Sequence, residues 1–181
     1  FNSISSHKVN SIAEDKNNNI WAGTENGLIQ LDKSGRYLNK LINDPKNENS
    51  VNSNNILKIL CDRSGELWIG TDRGLDKFDP AKESFTHFQN SESDTSSITE
   101  NAILSIYEDK YGIIWAGTYF GLNKLDRNTG KFTHYKKNPE DPKSISNNYV
   151  YSFCEDSNNN FWIGTGGGLN IFDRNTETFF H

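Results

Sequence analysis

Short apolar runs alternate with polar, glycine-bearing breaks along the whole chain, and apolar residues never recur at the spacing of a helix face. Residues 50–97 show the pattern best. "NNILKILCD" (54–62) is apolar, bounded by polar turn residues, and predicts a strand. "RSG" (63–65) is a turn, and "ELWIGT" (66–71) a second strand. "DRG" (72–74) is a tight turn that demands its glycine. "LDKFD" (75–79) alternates apolar and polar, as a half-buried strand does. "PAKE" (80–83) turns the chain, and "SFTHFQ" (84–89) alternates again. "NSESDTSS" (90–97) is a polar connection.

This unit recurs. Trp21, Trp68, Trp115 and Trp162 stand 47 residues apart. The same step links Asp15, Asp62, Asp109 and Asp156; Gly27, Gly74, Gly121 and Gly168; Asp32, Asp79, Asp126 and Asp173; and Ser3, Ser50, Ser97 and Ser144. Gly65 aligns with Asn18, Gly112 and Asn159, the residue types that most readily take positive φ. Four short antiparallel strands per unit, at a period in the forties, predict an all-β chain: a β-propeller of four-stranded blades. The blades span about 3–49, 50–96, 97–143 and 144–181 of one propeller module or propeller fragment. A four-stranded sheet cannot bury both faces alone, but stacked blades can. The four tryptophans are expected to fill the space between blades, and the glycine of W-x-G-T to let a neighbour come close.

Composition refines this. Only 33% of the 181 residues are hydrophobic, yet 12% are aromatic, so the core is expected to rest on Trp, Tyr and Phe. A net charge of −5 gives no basic footprint for nucleic acid or an anionic membrane. No run of 18 apolar residues exists, so no membrane contact is expected from this segment itself. The chain starts at Phe1 without a signal-peptide pattern, as a processed or excised piece of something longer would. Cys61 and Cys154 suggest neither a disulfide framework nor a metal site and read as buried, inert thiols.

Features shared by every blade are expected to build the blade. The repeated aspartates would accept turn N–H groups. The loops "DKNNN" and "DSNNN" lack the later acidic ligand of a calcium loop, so no metal or cofactor is expected. His87, His134 and His181 recur at the same step of 47, with Lys40 in the first blade, and read as half-exposed surface residues; His7 stands alone. Positions that break the repeat are more informative. The turn after W-x-G-T carries Glu25-Asn26, Asp72-Arg73, Tyr119-Phe120 and Gly166-Gly167 in turn. In a propeller this turn shares a face with the blade-to-blade connections, which also differ. Tyr119 and Phe120, adjacent aromatics at a tight turn, suit stacking on a sugar ring or anchoring a partner. Glu25, Asn26, Asp72 and Arg73 would be polar ligand contacts on the same rim.

"SIYEDKYGIIWAGTYFGLNKLD" (105–126) and its three counterparts resemble the two-component regulator propeller repeat over essentially the whole chain. The resemblance implies the extracytoplasmic sensor region of a membrane-anchored bacterial signalling protein. It also implies a propeller that is usually seven-bladed, with a kinase or other output module elsewhere. It makes this chain a non-catalytic module for a small ligand, with an oligosaccharide the leading expectation. Two alternatives belong to other classes. A propeller lyase would need an acid/base group placed once, whereas every histidine here but His7 is periodic. An interaction scaffold would close as a four-bladed ring, pair into an eight-bladed one, or stay an open arc. Each unit runs from first strand to last, so no strand from one end completes the other's sheet. Self-association through exposed blade faces is therefore expected.

Overall fold

The computed structural model describes residues 8–181, and the readings placed on Ser3 and His7 lie outside them. The chain divides into two units, residues 1–89 and 90–181. In the first, β1 (Val9–Glu14), β2 (Ile20–Thr24), β3 (Gly27–Leu31) and β4 (Tyr37–Leu41) form one sheet. A second is formed by β5 (Ile56–Cys61), β6 (Leu67–Thr71), β7 (Leu75–Asp79) and β8 (Ser84–Phe88). The second unit holds β9 (Ser105–Glu108), β10 (Ile114–Gly117), β11 (Leu122–Leu125) and β12 (Phe132–Tyr135). Its other sheet is β13 (Val150–Glu155), β14 (Phe161–Thr165), β15 (Gly168–Asp173) and β16 (Thr178–Phe180). Every pairing is antiparallel between consecutive strands, so each sheet is one blade laid down in order.

The first hairpin of each blade rests on its aspartate. Asp15 Oδ1 accepts the N–H groups of Asn17 and Asn19, both at 2.9 Å, and its Oδ2 accepts Trp21 Nε1–H at 2.9 Å. The indole bond repeats at Asp62–Trp68 (2.9 Å), Asp109–Trp115 (3.0 Å) and Asp156–Trp162 (2.9 Å). One carboxylate thus shapes the turn and fixes the rotamer of the indole, which at Trp21 and Trp115 packs against the next blade. The turn needs a left-handed residue, and Asn18, Gly65, Gly112 and Asn159 supply it with φ of 60°, 95°, 79° and 68°.

Each unit has its core between its two blades. Trp21, Leu28, Ile56, Ile59, Leu67 and Phe78 pack together in the first, and Trp115, Leu122, Val150, Phe161 and Phe172 in the second. Trp21 meets Phe78 edge-on at 5.9 Å, and Trp115 meets Phe172 likewise at 5.2 Å. The W-x-G-T glycine sits where the next blade comes closest: a Cβ on Gly23 would lie 2.5 Å from Ile56 Cγ2. Side chains also tie the first strands across blades. Asn10 Nδ2 donates to the Ile56 carbonyl at 2.8 Å, and Ser105 Oγ to that of Val150 at 3.0 Å.

One expectation needs correction. Cys154 is exposed rather than buried, and Cys61 is only half-buried. Cys154 occupies the repeat position of Tyr107, whose ring is covered by Phe153 and Phe161 of the following blade. The histidines are exposed or half-exposed, as expected, and two of them also staple the blade connections. His134 Nε2 bonds the Ser97 carbonyl at 2.7 Å, and His87 Nε2 bonds the Glu48 carbonyl at 2.8 Å.

Candidate functional site

The turn between the second and third strands is held by a threonine. Thr24 Oγ1 donates to the Gly27 carbonyl at 2.8 Å and accepts the Asn26 N–H at 3.0 Å. Thr71, Thr118 and Thr165 do the same for Gly74, Gly121 and Gly168. These glycines have φ between 116° and 137°, a region that only glycine enters at little cost. The clamp uses the threonine hydroxyl and backbone groups alone, so the two tip side chains are released from folding duty. Glu25, Asn26, Asp72, Arg73, Tyr119 and Phe120 are accordingly all exposed.

In the first unit the blade connection braces this rim. The Asn54 carbonyl accepts the Gly27 N–H at 2.7 Å. Asn52 Nδ2 and Gln89 Nε2 both donate to the Arg73 carbonyl, at 2.6 and 3.1 Å. Asn55 Nδ2 donates to Asp72 Oδ2 at 3.1 Å. Beneath lies a feature that sequence reasoning missed. Asp76, fully buried, accepts His87 Nδ1–H at 2.7 Å through Oδ1 and the Asn52 N–H at 2.7 Å through Oδ2. The equivalent residues are Ile29, Asn123 and Asn170, so the charge is peculiar to this blade. His87 lies between a carboxylate and a carbonyl, so both ring nitrogens are asked to donate, which is the imidazolium form. The bond to Asp76 raises the His87 pKa against the opposing effect of burial. Burial raises that of Asp76, and the bond to His87 only partly offsets it. With both nitrogens occupied, the pair has no free position for acid/base work on a substrate.

The second unit carries the aromatic rim. The Tyr119 ring meets that of Tyr149 at 5.5 Å and 90°, forming a right-angled corner. Tyr119 is 43% exposed, Phe120 55% and Tyr149 48%. Tyr149 also went unnoticed in the sequence, although it breaks the repeat where Lys8, Asn55 and Ala102 stand. The next tip, Gly166-Gly167, packs closely on the segment that carries Tyr149. A Cβ on Gly166 would lie 3.3 Å from Tyr149 Cβ, and one on Gly167 2.9 Å from Asn147 Cβ. The structure thus joins Tyr119 to a new partner and Asp72 to Asn55. No described hydrogen bond links the Glu25-Asn26 tip to Asp72-Arg73.

The repeated aspartates spend both oxygens on turn N–H groups and the indole. The indole and Asn160 bonds hold the Asp156 carboxyl down at about 2. Among the described residues no group of three or more His, Cys, Asp or Glu side chains is placed to hold a metal ion. No described helix is long and apolar enough to cross a membrane.

Comparison with known proteins places this geometry. A family model described as two component regulator propeller matches residues 3–26, 50–73, 97–120 and 144–167. The extracellular domain of a hybrid two component system from B. thetaiotaomicron is similar over 95% of this chain, at 28% identity and a TM-score of 0.69. This chain spans only 29% of that one. Virginiamycin B lyase from Staphylococcus aureus is similar over 95% of this chain and 54% of its own, with a TM-score of 0.68. At 13% identity that likeness shows the propeller fold alone. No curated protein matches the chain.

Proposed function

Because the chain belongs to the two-component regulator propeller family, we propose that it is a non-catalytic, extracytoplasmic sensor module whose ligand docks on the aromatic corner of the second unit. The observation that carries this reading is the exposed Tyr119–Tyr149 pair with Phe120 beside it. Exposed aromatics at a loop tip do nothing for the core, and the threonine clamp builds the turn without them. A pyranose ring has an apolar C–H face and a polar hydroxyl rim. Such a ring fits the corner, laying its C–H face on one tyrosine while its edge meets the other. The hydroxyls would then face the amide of Asn147 and the exposed backbone at Gly166-Gly167. An oligosaccharide is therefore the favoured ligand class. Asp72 and Arg73 belong to the first unit's rim, where the Arg73 carbonyl and the Asp72 carboxylate are already held by Asn52 and Asn55.

The test is calorimetric titration with linear hexasaccharides of β-linked glucose, xylose and mannose, on the unmodified chain and on Tyr119→Ala and Tyr149→Ala. At least one sugar should bind, and each substitution should weaken it about tenfold, the size expected for losing one stacked ring. Binding that ignores both substitutions would refute the site. Absence of binding by all three sugars would refute the ligand class.

A further inference from the structure

Blades two and three each pack the fourth strand against the connection that leads into the blade, and they finish that seam differently. In the first unit the strand's polar side chains are engaged. His87 holds Asp76 through Nδ1 and the Glu48 carbonyl through Nε2. Gln89 Nε2 donates to Asn52 Oδ1 at 3.0 Å and to the Arg73 carbonyl at 3.1 Å.

In the second unit the same two positions carry His134 and Lys136. Asn123 stands where Asp76 would be, and it turns to Thr99: its Oδ1 accepts the Thr99 N–H and its Nδ2 donates to Thr99 Oγ1, both at 2.9 Å. His134 keeps only the Ser97 carbonyl, bonded through Nε2 at 2.7 Å. A carbonyl can only accept, so Nε2 carries the hydrogen. Burial, with Lys136 beside it, lowers the pKa of the ring, which is neutral near pH 7. Nδ1 is thereby an acceptor, with no hydrogen bond among the described residues. Lys136 Nζ likewise has no hydrogen bond or ion pair among them.

Both residues line a pocket of about 230 Å³, together with Asp94, Thr95 and Thr99 of the connection. Every residue that lines it is polar. Its acceptors are Nδ1 and the Asp94 carboxylate, which bonds from Ser96 keep ionised. Its donors are the Lys136 ammonium and the Thr95 hydroxyl. One cation and one carboxylate balance, so the pocket favours neither an anion nor a cation. A group that donates and accepts at once, without charge, is an alcohol. We propose that this pocket binds a neutral polyhydroxyl ligand, whose hydroxyls donate to His134 Nδ1 and accept from the Lys136 ammonium. The pocket flanks the turn that bears Tyr119 and Phe120. Thr99 Oγ1 lies 2.9 Å from Thr118 Oγ1, the hydroxyl that clamps that turn, and a Cβ on Gly121 would lie 3.1 Å from Lys136 Cγ. It shares no residue with the aromatic corner, and its chemistry stands without that reading.

NMR of the histidine ring nitrogens in the isotope-labelled chain tests it. The probes are the methyl glycosides of glucose, xylose and mannose, with methyl glucuronide as the anionic counterpart. At least one neutral glycoside should move the His134 Nδ1 resonance towards its hydrogen-bonded position, saturably, in the millimolar range. The His87 resonances should stay still, because both of its nitrogens are taken. Lys136→Met, at an exposed position that spares the fold, should weaken the binding about tenfold. Tyr119→Ala should leave it unchanged. A His134 signal that no neutral glycoside moves would overturn the proposal. So would binding that Lys136→Met does not weaken, binding lost with Tyr119→Ala, or glucuronide bound more tightly than glucoside.

Discussion

Replacing His87 with phenylalanine isolates what the Asp76–His87 pair contributes. Phenylalanine can keep the near-parallel stacking of the imidazole on Phe85, seen at 6.1 Å and 6°, while removing the proton donor. Asp76 then has no exposed surface and only the Asn52 N–H to satisfy its charge. Breaking a buried ion pair from one side costs about 3–5 kcal/mol. The surviving Asn52 bond and the part-open imidazole site put this case near about 3 kcal/mol. For a chain of this size that is a fall of roughly 6–12 °C in melting temperature. The pH dependence is specific. The His87 pKa is raised, so its stabilisation is complete below the ordinary value and fades as pH rises through the raised one. In the variant, the Asp76 carboxyl, raised by burial, is harmless when protonated and costly once ionised. The deficit against the unmodified chain should therefore be greatest between those two titrations and shrink on either side. Asp76→Asn added to His87→Phe removes the orphaned charge and should recover most of the loss. Thermal melts from about pH 4 to pH 9 read all of this. A His87→Phe chain as stable as the unmodified one near neutrality would refute the reasoning. A double variant no better than the single would do the same.

Other outcomes follow from the same geometry. Gly117→Ala would put a Cβ 2.5 Å from the Val150 carbonyl and should destabilise by about 1–3 kcal/mol in urea titration. Gly35→Ala meets nothing within 4 Å and should cost only its positive-φ strain, about 1 kcal/mol. The Asp156 carboxyl sits at about 2, so the stability it gives is present above its ordinary value and lost as pH falls through about 2. Asp156→Asn should flatten that acid limb when Trp162 fluorescence is followed. Tyr149→Ala, at a half-exposed site, should change stability by less than about 0.5 kcal/mol, so that any loss of sugar binding is a loss of contact.

The fold was legible because its punctuation is strict. Four tryptophans at one step, with Gly or Asn where the turn needs positive φ, determine strand count, order and hairpin position together. What escaped was the pairing of features that the repeat displays separately. Asp15 and Trp21 both recur, but their hydrogen bond depends on how the hairpin folds the seventh residue back over the first. Tyr149 is not legible from the turns, because it lies on the lead-in to a first strand and meets Tyr119 of the preceding blade. Asp76 sits in a strand where alternation makes a polar residue ordinary, and only its lack of exposed surface marks it. Cys154 was misjudged because burial at a repeat position depends on a neighbour being there to cover it.

The threonine clamp has a consequence for how such chains change. A loop whose shape depends on its own side chains must solve folding and recognition together, so most substitutions are lost. Here Thr24 to Gly27 and its three copies hold the backbone with groups that never vary, and the two residues between are left as free text. Four blades give eight such positions, already written as an acid–amide pair, an acid–base pair, two aromatics and two glycines. Duplicating or exchanging one repeat rewrites a pair without disturbing the turn. The rim can therefore drift towards new ligands at nearly the rate of neutral change, while the blades beneath it stay still.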